Sequence, residues 1–202
     1  MITFDNTLTI NRPVEEVFAA LTDLPRIPDW NHYVREVVQV TPGPLRPGNV
    51  FHQIRRHDQQ RFQILHLDPS RRLVLETLPG QQPAFRRELT LEPDTCGADG
   101  HATTRLTDRW QLDTGGASLA QRLGRLTIRH AVNDNLHKLA ELLETGTTRL
   151  QDGRTVQWNS RYRHNPASRH RTDEALTERQ RSAPLPTPDR GFGRTDGPSA
   201  AE

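Results

Sequence analysis

The sequence predicts an α+β domain in which a curved seven-stranded antiparallel sheet wraps around one long C-terminal helix, with a disordered tail behind it. Three observations carry that expectation. One alternating segment, Ile2 to Ile10, opens the chain ahead of two helical segments. Six runs of strand length then follow one another, at 34–40, 48–57, 61–68, 71–78, 84–92 and 102–112, separated only by Gly, Pro or Asp clusters. Connections that short join antiparallel neighbours, because a parallel crossover needs about a dozen residues or more. Finally, residues 117–145 place Leu119, Leu123, Leu126, Val132, Leu136, Leu139 and Leu143 at helical spacing, with Gly146 placed to end the helix.

Each element has its own local reasons. In the first strand Ile2, Phe4, Leu8 and Ile10 share one parity. Asn11-Arg12-Pro13 starts the first helix: proline suits its first turn, Asn11 supplies a cap, and Glu15 and Glu16 favour the positive end of the helix dipole. Val14, Val17, Phe18 and Leu21 form its apolar stripe. The two prolines of Leu24-Pro25-Arg26-Ile27-Pro28-Asp29-Trp30 restrict that segment to a turn or a short second helix. Prolines at 42, 44 and 47 stiffen the turn from Thr41 to Gly48 into a rim.

Behind the long helix the composition changes. Residues 1–150 carry 18 basic and 18 acidic side chains and 55 apolar residues, whereas residues 151–202 carry 9 Arg, 7 acids and only 11 apolar residues out of 52. So little apolar surface cannot offset the entropy of ordering the segment. The expected organisation is a folded domain at 1–148 and a disordered Arg/Pro-rich tail at 149–202, in which Trp158 and Tyr162 are isolated aromatics, expected to be exposed rather than to dock the first residues of the tail. The positive surplus lies entirely in that tail, so the charge gives no support for a nucleic-acid-binding fold; Arg161, Arg163, Arg169 and Arg171 are its candidates for phosphate contact.

Several function classes drop out. The longest apolar run, Val17 to Leu21, is far short of the roughly 18 residues of a membrane span. The N-terminus lacks a basic patch followed by an apolar stretch, so no signal peptide is visible and a cytoplasmic location is expected. A single cysteine, Cys96, cannot build an internal disulfide or a multi-cysteine metal site. His52 and His57 lie on opposite sides of one strand, and His130 and His137 are two turns apart without an acidic partner at ligand spacing, so no zinc set emerges. Gly115-Gly116 opens a helix outside the context of a phosphate loop or a nucleophile elbow. No metal and no cofactor are expected.

Short motifs in a fixed order carry a resemblance. They are Pro13-Val14-Glu15-Glu16-Val17-Phe18; Leu21-Thr22-Asp23-Leu24-Pro25 running to Pro28-Asp29-Trp30; Gly48 and Phe51; Leu67-Asp68-Pro69-Ser70-Arg71-Arg72-Leu73-Val74; Leu91-Glu92-Pro93; and Asn135-Leu136-His137-Lys138-Leu139. Through them the chain resembles the START-like, Bet v 1-like (SRPBCC) superfamily, and particularly its polyketide cyclase/dehydrase branch, over about residues 1 to 146. The resemblance implies a helix-grip fold that binds a hydrophobic small molecule, aromatic polyketide-like or lipid-like, in a cavity between the sheet and the C-terminal helix. It also implies an alternative, a polyketide cyclase or aromatase promoting aldol cyclisation and dehydration. Fold alone does not select between them.

Strand register names the residues that face such a cavity. Pairing the last two strands by residue numbers that sum to 195 sets Leu91 against Thr104, Leu89 against Leu106, Arg87 against Asp108 and Phe85 against Trp110, with every apolar partner on one face. Arg87 and Asp108 then lie on the apolar side, where a lone charge is costly and a hydrogen-bonded pair is the expected arrangement. Strands 48–57 and 61–68, paired by sums of 118, leave two faces in competition. One holds Val50, His52, Ile54, Arg56, Phe62, Ile64 and His66; the other holds Phe51, Gln53, Arg55, Gln63, Leu65 and Leu67. The resemblance favours the second, which gives the cavity Phe51, Gln53, Gln63 and Leu65; the first would turn His52 and His66 inward. Trp30, Leu89, Leu106 and Trp110 complete the expected ligand-binding set, Trp30 matching the tryptophan that follows the short second helix in the family. If the chain is an enzyme, Arg87 polarises a carbonyl and Asp108 is the base or positions a water, while confinement of the substrate supplies most of the rate. Cyclases of this branch tend to carry an arginine on the strand where this chain has Leu65, and that departure weighs against the cyclase reading.

Overall fold

Alternation of apolar and polar residues makes β1 (Ile2–Ile10), which buries Ile2, Phe4, Asn6, Leu8 and Ile10 and exposes every residue between them. The structure is a computed structural model that describes residues 1–94, 102–113 and 118–158, and within the long helix the side chains from residue 126 onward. Cys96, Gly115-Gly116, Tyr162, Arg161, Arg163, Arg169 and Arg171 lie outside the described residues, as do the side chains of the stripe residues Leu119 and Leu123.

After β1, α1 (Val14–Thr22) buries Val17, Ala20 and Leu21. Its N-cap is Pro13, not Asn11, and no side chain caps it. Asn11 instead donates its backbone N–H to Glu144 Oε1 (2.7 Å), while Arg12 donates from Nε to the Leu143 carbonyl (2.8 Å) and from Nη2 to the Glu144 carbonyl (2.7 Å). The expected cap is replaced by a clasp onto the far end of the closing helix, whose last carbonyls have no intrahelical donor. A 3-10 turn at Leu24–Asp29, imposed by Pro25 and Pro28, buries Leu24 and Ile27.

Six strands follow: β2 (Val34–Gln39), β3 (Val50–Arg55), β4 (Gln59–Asp68), β5 (Arg72–Thr77), β6 (Ala84–Asp94) and β7 (Thr103–Asp113). β1 pairs with β7, giving one antiparallel seven-stranded sheet in the order β1-β7-β6-β5-β4-β3-β2. Then α2 (Ser118–Thr145) packs against β1 and presents Leu136, Leu139, Ala140 and Leu143 to the core that all seven strands share. This is the helix-grip arrangement that the sequence predicts. Gly146 ends α2 in a left-handed conformation (φ +79°), its N–H bonded to the Leu142 carbonyl at 3.0 Å. Leu126 leaves the expected stripe and is 59% exposed. Ten residues separate it from Leu136, and at 3.6 residues per turn that rotates it by roughly 80° away from the core-facing side.

Two registers differ from those expected. β6 and β7 pair by sums of 197, so Arg87 faces Trp110, Leu89 faces Asp108, Leu91 faces Leu106 and Phe85 faces Leu112. The slip is two residues, so the inner and outer faces are those predicted and only the partners change. β3 and β4 pair by sums of 113, with Phe51 against Phe62 and Gln53 against Gln60. The turn closes early because Arg55 N–H reaches the Asp58 carbonyl (2.8 Å) and its guanidinium grips the Asp58 carboxylate (Nη2 to Oδ2, 2.9 Å). Each competing face is therefore right for part of β4. Phe62 and Ile64 point inward, a bulge leaves Leu65 unpaired, and beyond it Leu67 faces Leu73 on the inner side. Gln63, opposite Val50, falls on the outer face, and Leu65 is the bulged residue.

Residues 149–158, expected in the tail, fold back onto the domain. β8 (Thr147–Arg149) and β9 (Thr155–Gln157) form a hairpin that buries Thr148 and Leu150, and the Arg26 guanidinium sits 3.8 Å above the Trp158 ring. Glu141 ties the hairpin to α2: its Oε2 accepts from Lys138 Nζ and Thr148 Oγ1, both at 2.8 Å. These hydrogen bonds, Lys138 first, hold its carboxyl below the ordinary value. No helix among the described residues is long and apolar enough to cross a membrane.

Two outcomes test this hairpin. A chain cut after Gly146 should melt at least about 4 °C lower, the shift of roughly 1 to 2 kcal/mol at this size, whereas a cut after Trp158 should leave the melting temperature unchanged in calorimetry. A carboxyl whose pKa is depressed by folding contributes fully above its unfolded value and loses that contribution as pH falls through the folded one. The exchange protection of the Leu150 amide, bonded to the Arg154 carbonyl, should therefore drop below about pH 4, and Glu141→Gln should make it low and independent of acid.

Candidate functional site

The inner face of the sheet is an apolar surface with one polar centre. Its aromatic part runs from strand to strand: Phe51 stacks on Phe62 (ring centroids 5.5 Å), Phe62 lies 6.0 Å from Phe85, Phe85 lies 5.4 Å from Trp110, and Trp110 stacks on Phe4 at 6.3 Å. On β5, Thr77 fills the gap in this row; its hydroxyl accepts the Phe85 N–H at 2.6 Å and donates to the Phe85 carbonyl at 3.1 Å. The row continues because Phe51 pairs with Phe62, Phe62 with Thr77, and Trp110 with Phe4.

The polar centre lies beside it. Arg87 Nε donates to Asp108 Oδ1 and Arg87 Nη2 to Asp108 Oδ2, both at 2.8 Å, a bidentate pair whose side chains are 8% and 0% exposed. Trp110 Nε1 adds a third bond to Asp108 Oδ2 at 3.0 Å. The guanidinium carbon lies 4.9 Å from the centroid of Trp110 and 5.7 Å from that of Trp30. The two-residue slip in register does not undo the pair, because Arg87 and Asp108 are now diagonal neighbours on one face, within reach of a long side chain.

Asn6 stands opposite Asp108 across the β1–β7 pairing, and its Oδ1 accepts from Arg129 Nε of α2 at 3.4 Å. Its Nδ2, together with Trp30 Nε1, Gln60 Nε2 and Asn135 Oδ1, is buried with no hydrogen-bond partner among the described residues. Leaving a buried polar group unpaired costs about 1 to 3 kcal/mol. The inner side therefore carries hydrogen-bonding capacity that its own side chains do not use.

Of the residues named from sequence, the structure brings Arg87, Asp108, Trp30 and Trp110 together, and puts Phe51 and Gln53 on the same inner face farther along the sheet. Leu89 and Leu106 are core residues, paired with Asp108 and Leu91 respectively. Gln63 and Leu65 are not part of the inner face, for the reasons given above. Sequence reasoning passed over Asn6 and Gln60, placed Phe62 on the face it did not choose, and named Asn135 only within a motif of the resemblance. Asn6 had a signal: it occupies an inward position in an otherwise apolar alternation.

A family model described as polyketide cyclase/dehydrase and lipid transport matches residues 1–146. No curated protein sequence matches the chain. Among solved structures, a Deinococcus radiodurans protein is similar with a TM-score of 0.53 at 16% identity, over 72% of this chain and 99% of that one. The protein XoxI from Bacillus cereus gives 0.55 at 14%, over 71% and 96%. The di-domain ARO/CYC StfQ from the steffimycin biosynthetic pathway gives 0.52 at 15%, over 70% of this chain and 44% of that one. At these identities the likeness is one of fold.

The buried pair gives a direct test. Removing one partner strands the other charge, so Asp108→Ala should destabilise by on the order of 3 to 5 kcal/mol, and replacing both residues by Leu should recover much of it. Denaturant unfolding of the two variants measures this; equal losses in both would show that the ion pair is not what the region depends on.

Proposed function

The chain belongs to the polyketide cyclase/dehydrase and lipid transport family, and from that premise we propose that it binds an apolar, ring-containing small molecule between the inner face of the sheet and α2. The observation that supports this reading best is the pairing of an aromatic row with unused buried donors. Trp30 Nε1 and Asn6 Nδ2 flank the Arg87–Asp108 pair, and Gln60 Nε2 lies farther along the same face. Aromatic side chains favour a flat apolar body, and unmet donors favour acceptor oxygens on it. A polycyclic ketone or phenol satisfies both, whereas a plain acyl chain leaves the donors unpaired.

The same geometry favours binding over catalysis. Asp108 accepts three hydrogen bonds, from Arg87 Nε, Arg87 Nη2 and Trp110 Nε1, and its side chain has no exposure, so a substrate proton does not come within reach of it while the pair holds. A general base must come within hydrogen-bond reach of the proton it takes. In the cyclase reading Arg87 and Asp108 would have to separate first; as they stand they form a fixed positive edge against which a carbonyl is oriented.

Tryptophan fluorescence tests the proposal, because Trp30 and Trp110 both border the site. An anthraquinone should quench it saturably with a dissociation constant in the micromolar range, about 8 kcal/mol of binding. Asn6→Leu should weaken that ligand about tenfold, the equivalent of one lost hydrogen bond, while leaving the affinity for anthracene unchanged. No saturable binding of either compound refutes the reading, and turnover of a poly-β-ketone by the protein would replace it with the cyclase.

A further inference from the structure

A second site lies outside the core. Among the described residues, a cleft of about 500 Å³ is lined by His32, Val34, Arg35, Arg56, His57, Asp152 and Arg154. Three arginines and two histidines thus surround one carboxylate. The residues come from three places: the segment after the 3-10 turn, the β3–β4 turn, and the loop of the β8–β9 hairpin, which lies beyond the residues that match the family.

Each wall is built to present its charge. The β2–β3 register slips between Val34 and Glu36, which makes Arg35 the extra, unpaired residue of a bulge. Bulges re-aim a side chain, and here the re-aimed one is exposed and enters none of the salt bridges among the described residues. Arg56 is fixed by its backbone N–H, which donates to the Tyr33 carbonyl at 3.1 Å. His32 is held against the Tyr33 ring (centroids 3.9 Å), with Nδ1 buried and without a partner among the described residues. Burial and the charge of Arg56 push its pKa down, so the unliganded ring is neutral near pH 7.

Asp152 shows how this cleft treats an anion. Its carboxylate accepts from Arg154 Nε at 3.0 Å and lies 3.6 Å from Arg56 Nη2. Burial opposes its ionisation, but the hydrogen bonds and charge of Arg154, with Arg56 behind them, win and hold it below the ordinary value. One internal carboxylate therefore answers two arginines, while Arg35 and the buried His32 nitrogen are left over.

We propose that this cleft binds the phosphate group of an anionic ligand, with Arg35, Arg56 and Arg154 as its cations, His32 as a donor once protonated, and Asp152 as an internal competitor for the same guanidinium groups. Arginine forks match phosphate oxygens two at a time, so a dianion gains more than the single carboxylate does. Binding should take up a proton at His32, so affinity should rise as pH falls. The other charged and titratable groups lining the cleft around that ring are Arg35, Arg56, His57, Asp152 and Arg154.

Calorimetric titration of the full chain with inorganic pyrophosphate tests the site. Saturable binding in the millimolar range or tighter is expected, several-fold tighter at about pH 6 than at pH 8, where a histidine titrates. Arg35→Gln, which breaks no internal ion pair, should weaken binding at least about fivefold, since a charge-assisted hydrogen bond is worth that or more. Asp152→Asn should strengthen it, and His32→Gln should remove most of the pH dependence. Sedimentation with phosphatidic acid vesicles separates the sources: binding to vesicles alone, abolished by Arg35→Gln, assigns the phosphate to a lipid headgroup. Failure of both pyrophosphate and vesicles to bind, or weaker binding by an Asp152→Asn variant with an unchanged melting temperature, overturns the proposal.

Discussion

An aspartate with no access to solvent sits in the middle of an apolar sheet face, and the fold depends on Arg87 reaching it. Either charge alone would be among the most costly groups to bury, and together they remain tolerable only while the geometry stays bidentate. That demand propagates outward. Asp108 must be offset from Arg87 by the diagonal of one register, Trp110 must turn its indole N–H back to the same carboxylate, and Trp30 must stand over the guanidinium. Trp30 takes that position because Pro25 and Pro28 force a tight 3-10 turn immediately before it. A corner near residue 30 and strands near residues 87 and 108 are thereby keyed to one another by a single ion pair.

The pair also sets the character of the interior. The inner face is not wholly aliphatic: a fixed dipole stands beside the aromatic row, ringed by indoles and amides. In the proposed binding role, affinity would come from the aromatic row and selectivity from the polar centre, two sets of different residues. Across the wall, the basic cleft gathers its charges where they face water instead. The two regions share Val34, which is buried in the core on one side and lines the cleft on the other.

What the sequence disclosed and what it hid follow from the same physics. Parity is a strong signal where one face of a strand is buried and the other wet, so the inward set of β1, β6 and β7, including Arg87 and Asp108, was readable without coordinates. Parity is blind to a slip of two, which preserves faces and exchanges partners, and the expected β6–β7 pairing failed by that amount. In β4 the ambiguity was physical: a bulge at Leu65 splices one face onto the other, so neither alternation describes the whole strand. The hairpin at 147–157 was hidden because its anchors, Thr148, Leu150 and Trp158, are few and are diluted by the polar residues that follow. Gln60 was overlooked because it is a polar residue at a core position of a strand whose register the sequence misplaces, whereas Asn6 was legible as the inward polar residue of β1 and was passed over.

The clasp between Arg12 and the last carbonyls of α2 joins the beginning of the domain to its end, and β1 likewise has β7 as its partner in the sheet. On a ribosome this makes the first strand the last to be satisfied. Ile2, Phe4, Leu8 and Ile10 emerge early, yet their partners at 103–113 are made about a hundred residues later, a wait of roughly 5 to 20 seconds at ordinary rates of synthesis. Throughout that interval the apolar residues of β1 lack the partners they have in the folded domain, with only Thr3, Asp5, Thr7 and Thr9 alternating as polar neighbours. The ring-like closure that makes the finished domain cohesive thus places its period of greatest vulnerability to aggregation before folding begins, in the nascent chain.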